Sequence, residues 1–158
     1  MQIKTTITGF EPISLADAKN YLRVDYTEDD NLITSLISIA RECAERYCNR
    51  SFIAKQIEYY DPDWISPVTL PYPNHDEILS VKVGDVETTY QVSGLNRKII
   101  KVSSDVEDSA LYVKYTTTGN PSEAEKNAIM RIVSEMYENR STELTATAKA
   151  MLAQFKTY

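Results

Sequence analysis

The stretch Glu28–Cys48, EDDNLITSLISIARECAERYC, decides the fold class. Leu32, Leu36, Ile39, Ala40, Cys43 and Tyr47 recur at helical spacing and form one stripe. Ile33, Ile37 and Ala44 widen that stripe to well over about 100°, while Arg41, Glu42, Glu45 and Arg46 stay on the opposite side. The pattern predicts a long helix over 28–48. A stripe this wide predicts contact with more than one neighbour, from within the fold or from another subunit. Thr27 reads as its cap, with Glu28, Asp29 and Asp30 in the first turn, where acidic side chains complement the positive helix end. Asn49 reads as a left-handed stop.

Towards the N-terminus, Ser14-Leu15-Ala16-Asp17 predicts a short helix through Leu22, capped by Ser14 and started behind Pro12. Asp25-Tyr26-Thr27 breaks the chain before the long helix. From Ser51 to about Thr118 the helical period vanishes, and β-branched and aromatic residues gather in short runs between turn residues. These runs predict strands over 52–60, 67–70, 78–83, 86–92, 98–102 and 110–117. Gly84-Asp85 reads as a tight hairpin, and Gly94-Leu95-Asn96 as another turn. Pro62, Pro67, Pro71 and Pro73 mark a loop-rich crossing.

Asn120-Pro121-Ser122-Glu123 restarts the helical pattern, with Asn120 as cap and Pro121 at the first helical position. Ile129, Ile132, Val133, Met136 and Tyr137 give a broad apolar face through about 139. Leu144, Ala148, Met151 and Phe155 give a narrower stripe on a final helix. The expected fold is α+β: a small helical bundle from the N-terminal and C-terminal helices, with an inserted antiparallel β subdomain. Its expected divisions are 1–50 for the first half of the helical core, 51–118 for the β insert and 119–158 for the second half. Both long helices end in Tyr-x-Asn-Arg-Ser, at Tyr47–Ser51 and Tyr137–Ser141. Shared stop chemistry explains the echo; arginines 50 and 140 meeting acidic groups on a neighbour would explain it as well.

The 158 residues carry 17 basic and 23 acidic side chains, a formal charge of −6. A protein whose main task is gripping phosphate backbone needs a basic face, so the balance points elsewhere. It keeps a protein soluble, and it also suits a conduit through which DNA slides. No apolar run approaches the roughly 20 residues of a membrane-spanning helix. The opening MQIKTTITGFEP lacks the apolar stretch of a secretory signal, so a cytoplasmic origin is expected. Cys43 and Cys48, five residues apart on one helix, point about 140° away from each other, which argues against a disulfide.

Chemistry-bearing patterns are sparse. His75, the single histidine, sits in Pro73-Asn74-His75-Asp76-Glu77, without a second histidine for a typical metal site. Asp61-Pro62-Asp63 lacks the spacing of a calcium loop and reads as a turn. The four glycines build no phosphate loop or dinucleotide fingerprint. No enzyme, cofactor or metal is expected. Tyr59, Tyr60, Trp64 and Tyr72 fit either an interface patch or half-buried strand positions.

The segment from Glu11 to Asp25, EPISLADAKNYLRVD, resembles the opening of tailed-bacteriophage head–tail connector proteins, the head-completion adaptors. Asp29-Asp30-Asn31-Leu32-Ile33, the helix ending near Cys48-Asn49-Arg50, and the run from Ile129 to Arg140 follow in the order of that family. The resemblance implies a structural protein that binds beneath the portal, usually as a twelve-membered ring of its own copies. Such a ring extends the DNA channel and links the packaged head to the next neck or tail-completion protein. DNA would pass without specific binding, with no membrane involved. The protein would reside in the virion neck, after assembly in the host bacterial cytoplasm. Relatives grip the portal with a terminal segment, which implies an amphipathic grip by Leu144, Met151, Leu152 and Phe155. Ile37, Arg50 and Arg140 complete the residues expected to meet the portal or a neighbouring subunit. The alternative is a nucleic-acid-binding or DNA-packaging accessory module, with Arg41, Arg46, Arg50 and Lys55 as its basic face.

Overall fold

The computed structural model describes residues 1–72, 75–94, 98–103 and 109–157. The expected Gly94-Leu95-Asn96 turn lies outside the described residues. The chain divides into two compact units: a β unit of Met1–Gly9 and Ile53–Gly119, and a helical unit of Phe10–Phe52 and Asn120–Tyr158.

The helical unit holds α1 (Leu15–Leu22), α2 (Asp30–Cys48), α3 (Glu123–Asn139) and α4 (Ala146–Ala153). Ser14 caps α1 as its sequence predicts, its hydroxyl accepting from the Asp17 N–H at 3.1 Å. Thr27 is not the cap of α2. The capping position is Asp29, whose side chain makes no cap hydrogen bond. It accepts from tyrosine hydroxyls instead. Nor does Asn120 cap α3: Ser122 does, in a reciprocal capping box with Glu125. A box satisfies two helix-end donors where a lone asparagine satisfies one, and this moves the start two residues on.

The wide stripe of α2 divides as its breadth implies. Ile33, Ile37, Ala40 and Ala44 are buried, and they pack with Ile129, Ile132, Val133 and Met136 of α3 in one core. Leu32 on the flank remains 49% exposed. Ala148 and Leu152 of α4 are buried in the same core, and Leu144, Met151 and Phe155 pack against it part-buried. The final segment is tied down further, since the Thr157 N–H donates to the Cys48 carbonyl at 2.9 Å. Of the residues expected in the amphipathic grip, Leu152 is corrected, since its side chain fills its own bundle. Ile37 is corrected in the same way, being 3% exposed.

Among the described residues the β unit holds eight strands in two sheets, with every pairing antiparallel. The five-stranded sheet has the order β1 (Gln2–Ile7), β2 (Lys55–Asp61), β8 (Leu111–Thr117), β4 (His75–Val83) and β5 (Val86–Glu87). The three-stranded sheet has the order β3 (Val68–Thr69), β7 (Ile99–Ser103) and β6 (Thr89–Ser93). Their inner faces share a core built from Ile57, Tyr59, Val81, Val113 and Tyr115 of one sheet and Val68, Ile100 and Val102 of the other. The Gly84-Asp85 hairpin is present, with Val83 paired to Val86 and Gly84 at φ 61°. The run 86–92, expected as one strand, breaks at Thr88, where the chain leaves one sheet for the other. The strand β1 lies in a segment that the sequence reading placed with the helical half.

Gly9, Ala54 and Gly119 meet where the chain enters and leaves the β unit. A Cβ on Gly119 would lie 2.0 Å from the Ala54 nitrogen and 2.1 Å from the Ile53 carbonyl carbon. These are backbone atoms, which cannot rotate aside. Gly119→Ala should therefore destabilise the protein by at least about 1–3 kcal/mol, read as a lowered denaturation midpoint. For α4, Leu152→Ala should cost about 2–5 kcal/mol through the cavity left in the helical core, measured by urea unfolding followed by circular dichroism.

Candidate functional site

A concavity runs along α2 of the helical unit. Leu36, Ile39 and Met136 form its apolar floor, and Leu32 stands at its lip. Tyr26, Asp29 and Tyr137 close one end, with Arg140 and Thr142 along the side. The volume is about 680 Å³. A second depression of about 450 Å³ shares Thr142 and continues past Cys43, Arg46 and Tyr47 to Leu144 and Lys149. The two follow α2 from Leu32 to Tyr47. Helical spacing produces this groove: one edge of the apolar stripe faces α3, and the other is left beside the connection from α3 to α4.

The closed end is polar. The Tyr137 hydroxyl donates to Asp29 Oδ2 at 2.5 Å, and the Tyr26 hydroxyl donates to the same oxygen at 3.2 Å. The two phenol oxygens are 2.9 Å apart. These bonds, first that to Asp29 and then that to Tyr26, push the Tyr137 phenol above its ordinary pKa, because ionisation would set two anions side by side. Lys19 anchors the preceding turn by donating to the Tyr26 carbonyl at 2.7 Å and to Asp30. An apolar trough ending in oriented hydroxyls suits the side chains of a docked helix or extended segment.

Residues expected at a partner surface are dispersed. Arg140 is exposed and lines the groove, at φ 51° in the left-handed region. In the matching motif, Asn49 rather than the arginine takes that conformation, so the two echoes are out of step by one residue. Arg50 pairs with the buried Glu125 at 2.8 Å, within its own unit. Leu144 lines the second depression, while Met151 and Phe155 lean on the core. Three residues of the expected basic face are otherwise engaged. Arg41 is 1% exposed among carboxylates, Arg50 holds Glu125, and Lys55 is buried over the Tyr72 ring.

The tyrosine-rich segment follows its half-buried reading. Tyr59 and Tyr115 are core residues, and burial raises both phenols above their ordinary pKa. The Trp64 ring N–H donates to the Ser109 carbonyl at 2.9 Å. His75 stacks on Tyr115 at 4.8 Å, and its Nε2 lies 3.2 Å from the Pro71 carbonyl. Among the described residues no group of three or more His, Cys, Asp or Glu is placed to hold a metal ion. Burial first, then the Glu125 charge, raises the Cys48 thiol to about 11, which keeps it protonated near neutrality. The Tyr26–Asp29–Tyr137 cluster was missed from sequence. Asp29 looked like ordinary helix-start acidity, and Tyr137 stands 108 residues away from it.

The fold is similar to that of chains in solved phage-like particles. A chain from the neck of an empty gene transfer agent (GTA) particle, computed with C6 symmetry, superposes with a TM-score of 0.79 at 12% identity. That superposition covers 98% of this chain and 96% of the other. A chain from the virion of the native GTA particle gives 0.78 at 14% identity, covering 98% and 95%. One from the native neck, computed with C12 symmetry, gives 0.67 at 13%, covering 98% and 96%. In sequence, residues 12–72 match the family model of phage gp6-like head-tail connector proteins. That match spans α1 and α2 and runs into β2 and β3, bearing out the resemblance read from the opening motif. No curated protein matches the sequence.

The raised Tyr137 phenol sets a sign for alkaline behaviour. Its neutral form is favoured in the folded state, so its contribution is fully present below the ordinary tyrosine pKa. It is lost as pH rises from there through the folded value. Tyr137→Phe should flatten that alkaline fall in thermal midpoint relative to wild type while leaving the neutral-pH fold intact, measured by melting curves across pH.

Proposed function

We propose that this protein is a structural, non-catalytic connector of a tailed-phage neck. In this reading, copies of the chain form a ring beneath the portal, extend the DNA channel and present a surface to the next neck or tail-completion protein. The observation that carries it is the neck-chain fold over 98% of this chain, together with the connector-family match at 12–72. The C6 and C12 symmetries of the related necks support a ring. A net charge of −6 supports a conduit that DNA traverses without being held. The protein then works in the virion neck, joined there after assembly in the host cytoplasm.

The α2 groove is the surface we assign to the portal or to a neighbouring connector. Leu32 and Arg140 are its exposed contacts, and Leu144 lies along its continuation. Purified protein mixed with assembled portal from the same phage should give a stacked ring in negative-stain images. Leu32→Asp should weaken that association at least tenfold with the fold unchanged. A competent portal that recruits no protein at any concentration rejects the connector reading.

A further inference from the structure

In each sheet the longer of the two edge strands, β1 in one and β6 in the other, has one side unpaired among the described residues. Among the described residues strand β1 pairs on one side only, with β2, and all six of its residues are exposed. The Thr8 N–H donates to the Ala54 carbonyl at 3.0 Å, continuing the register in which Thr6 opposes Gln56. In an antiparallel ladder hydrogen-bonded pairs alternate, so the even residues of β1 bond to β2. Ile3, Thr5 and Ile7 therefore aim their backbone N–H and C=O groups at the open side. Their partners across the ladder are Tyr59, Ile57 and Lys55, all buried. Ile3 and Ile7 share that core face, yet are 37% and 51% exposed. The core face runs out one strand too early.

Strand β6 repeats the situation in the other sheet. Among the described residues it pairs with β7 alone, and its five residues, TYQVS, are all exposed and uncharged. The Val102 N–H and carbonyl are both taken up by the Ser66 hydroxyl on the far side of β7. By the same alternation, Tyr90 opposite Val102 and Val92 opposite Ile100 turn their backbone groups outward. Natural edges are usually guarded by charge, proline or a bulge. The single charged side chain on β1, Lys4, is held 3.5 Å from Glu58 of β2.

We infer that β1 of one copy pairs with β6 of the next, joining the sheets of neighbouring subunits through backbone hydrogen bonds. This inference rests on the ring proposed above. A closed ring needs a heterologous interface made from two different patches, and the longer edge strands of the two sheets are of nearly equal length, six and five residues. Main-chain pairing supplies the affinity, while Ile3 and Ile7 continue their row onto Tyr90 and Val92.

The test uses the full chain in a Cys43→Ser background, oxidised alone and on the assembled portal. Thr5→Cys combined with Val92→Cys should yield a ladder of covalent oligomers, and each single variant should stay monomeric. Adding Ile3→Pro removes an outward N–H that β2 does not use, and should reduce the ladder at least tenfold with unchanged circular dichroism. No ladder in either sample overturns the inference, as does equal dimer formation by Thr5→Cys alone, which signals two-fold pairing of β1 with itself. Portal recruitment without cross-linking would remove this interface and keep the connector reading. Cross-linked rings that ignore the portal would do the reverse.

Discussion

A single buried cation organises the helical unit. The Arg41 guanidinium is 1% exposed, on a helix whose one other buried charge is Glu45. Its Nε and Nη2 donate to Glu11 at 2.9 and 3.1 Å, and its Nη1 donates to Glu45 at 2.7 Å. Glu45 uses its remaining oxygen to accept the Phe52 N–H at 2.7 Å, and Glu11 also accepts from Ser38. The segment before α1, the middle of α2 and the segment after it are thus fixed to one planar group. Burial alone would lower the guanidinium pKa, but the hydrogen bond it donates to Glu11 and the charges of Glu45 and Glu11 together raise it. An ion placed this way costs several kcal/mol unless fully partnered, so alternative packings that break the set are strongly disfavoured. This gives a physical reason for glutamate at the head of the Glu11-Pro12-Ile13-Ser14-Leu15 motif.

Similarity to neck chains persists at 12–14% identity. Such persistence is expected when a fold rests on a few demanding contacts and otherwise on patterned burial, because cores tolerate exchange when volume and pattern are kept. The groove along α2 is made by the breadth of an apolar stripe. A groove of this kind follows from where helices fail to cover one another, and needs no dedicated motif.

The helices were legible because burial imposes a strong period on them. Ile33, Ile37, Ala40 and Ala44 announced α2, and Ser14 and Asn49 its neighbourhood. The caps were less legible, since Asn120 and Ser122 are both good candidates and only the Glu125 side chain decides between them. Strand β1 was invisible for the opposite reason. Every residue of QIKTTI is exposed, so no alternation reaches the sequence. Arg41 was read as a solvent-facing charge, because nothing local shows that Glu11, thirty residues earlier, folds over it. The basic face drawn through Arg41, Arg50 and Lys55 failed on the same ground, since ion pairing and burial are tertiary facts.

The threading of the two units also bears on how the protein is made. Each is assembled from two separated stretches, so neither can be finished as a contiguous run emerges from the ribosome. Strand β1 is synthesised first, yet its partner β2 begins at Lys55, and β8, which carries the centre of the sheet, begins at Leu111. Helix α2 likewise waits for α3. Translation adds about 5–20 residues per second, so β1 and the apolar flank of α2 spend seconds unpaired in the nascent chain. The interval is a window for chaperone capture, and for trapping by another nascent copy on the same message.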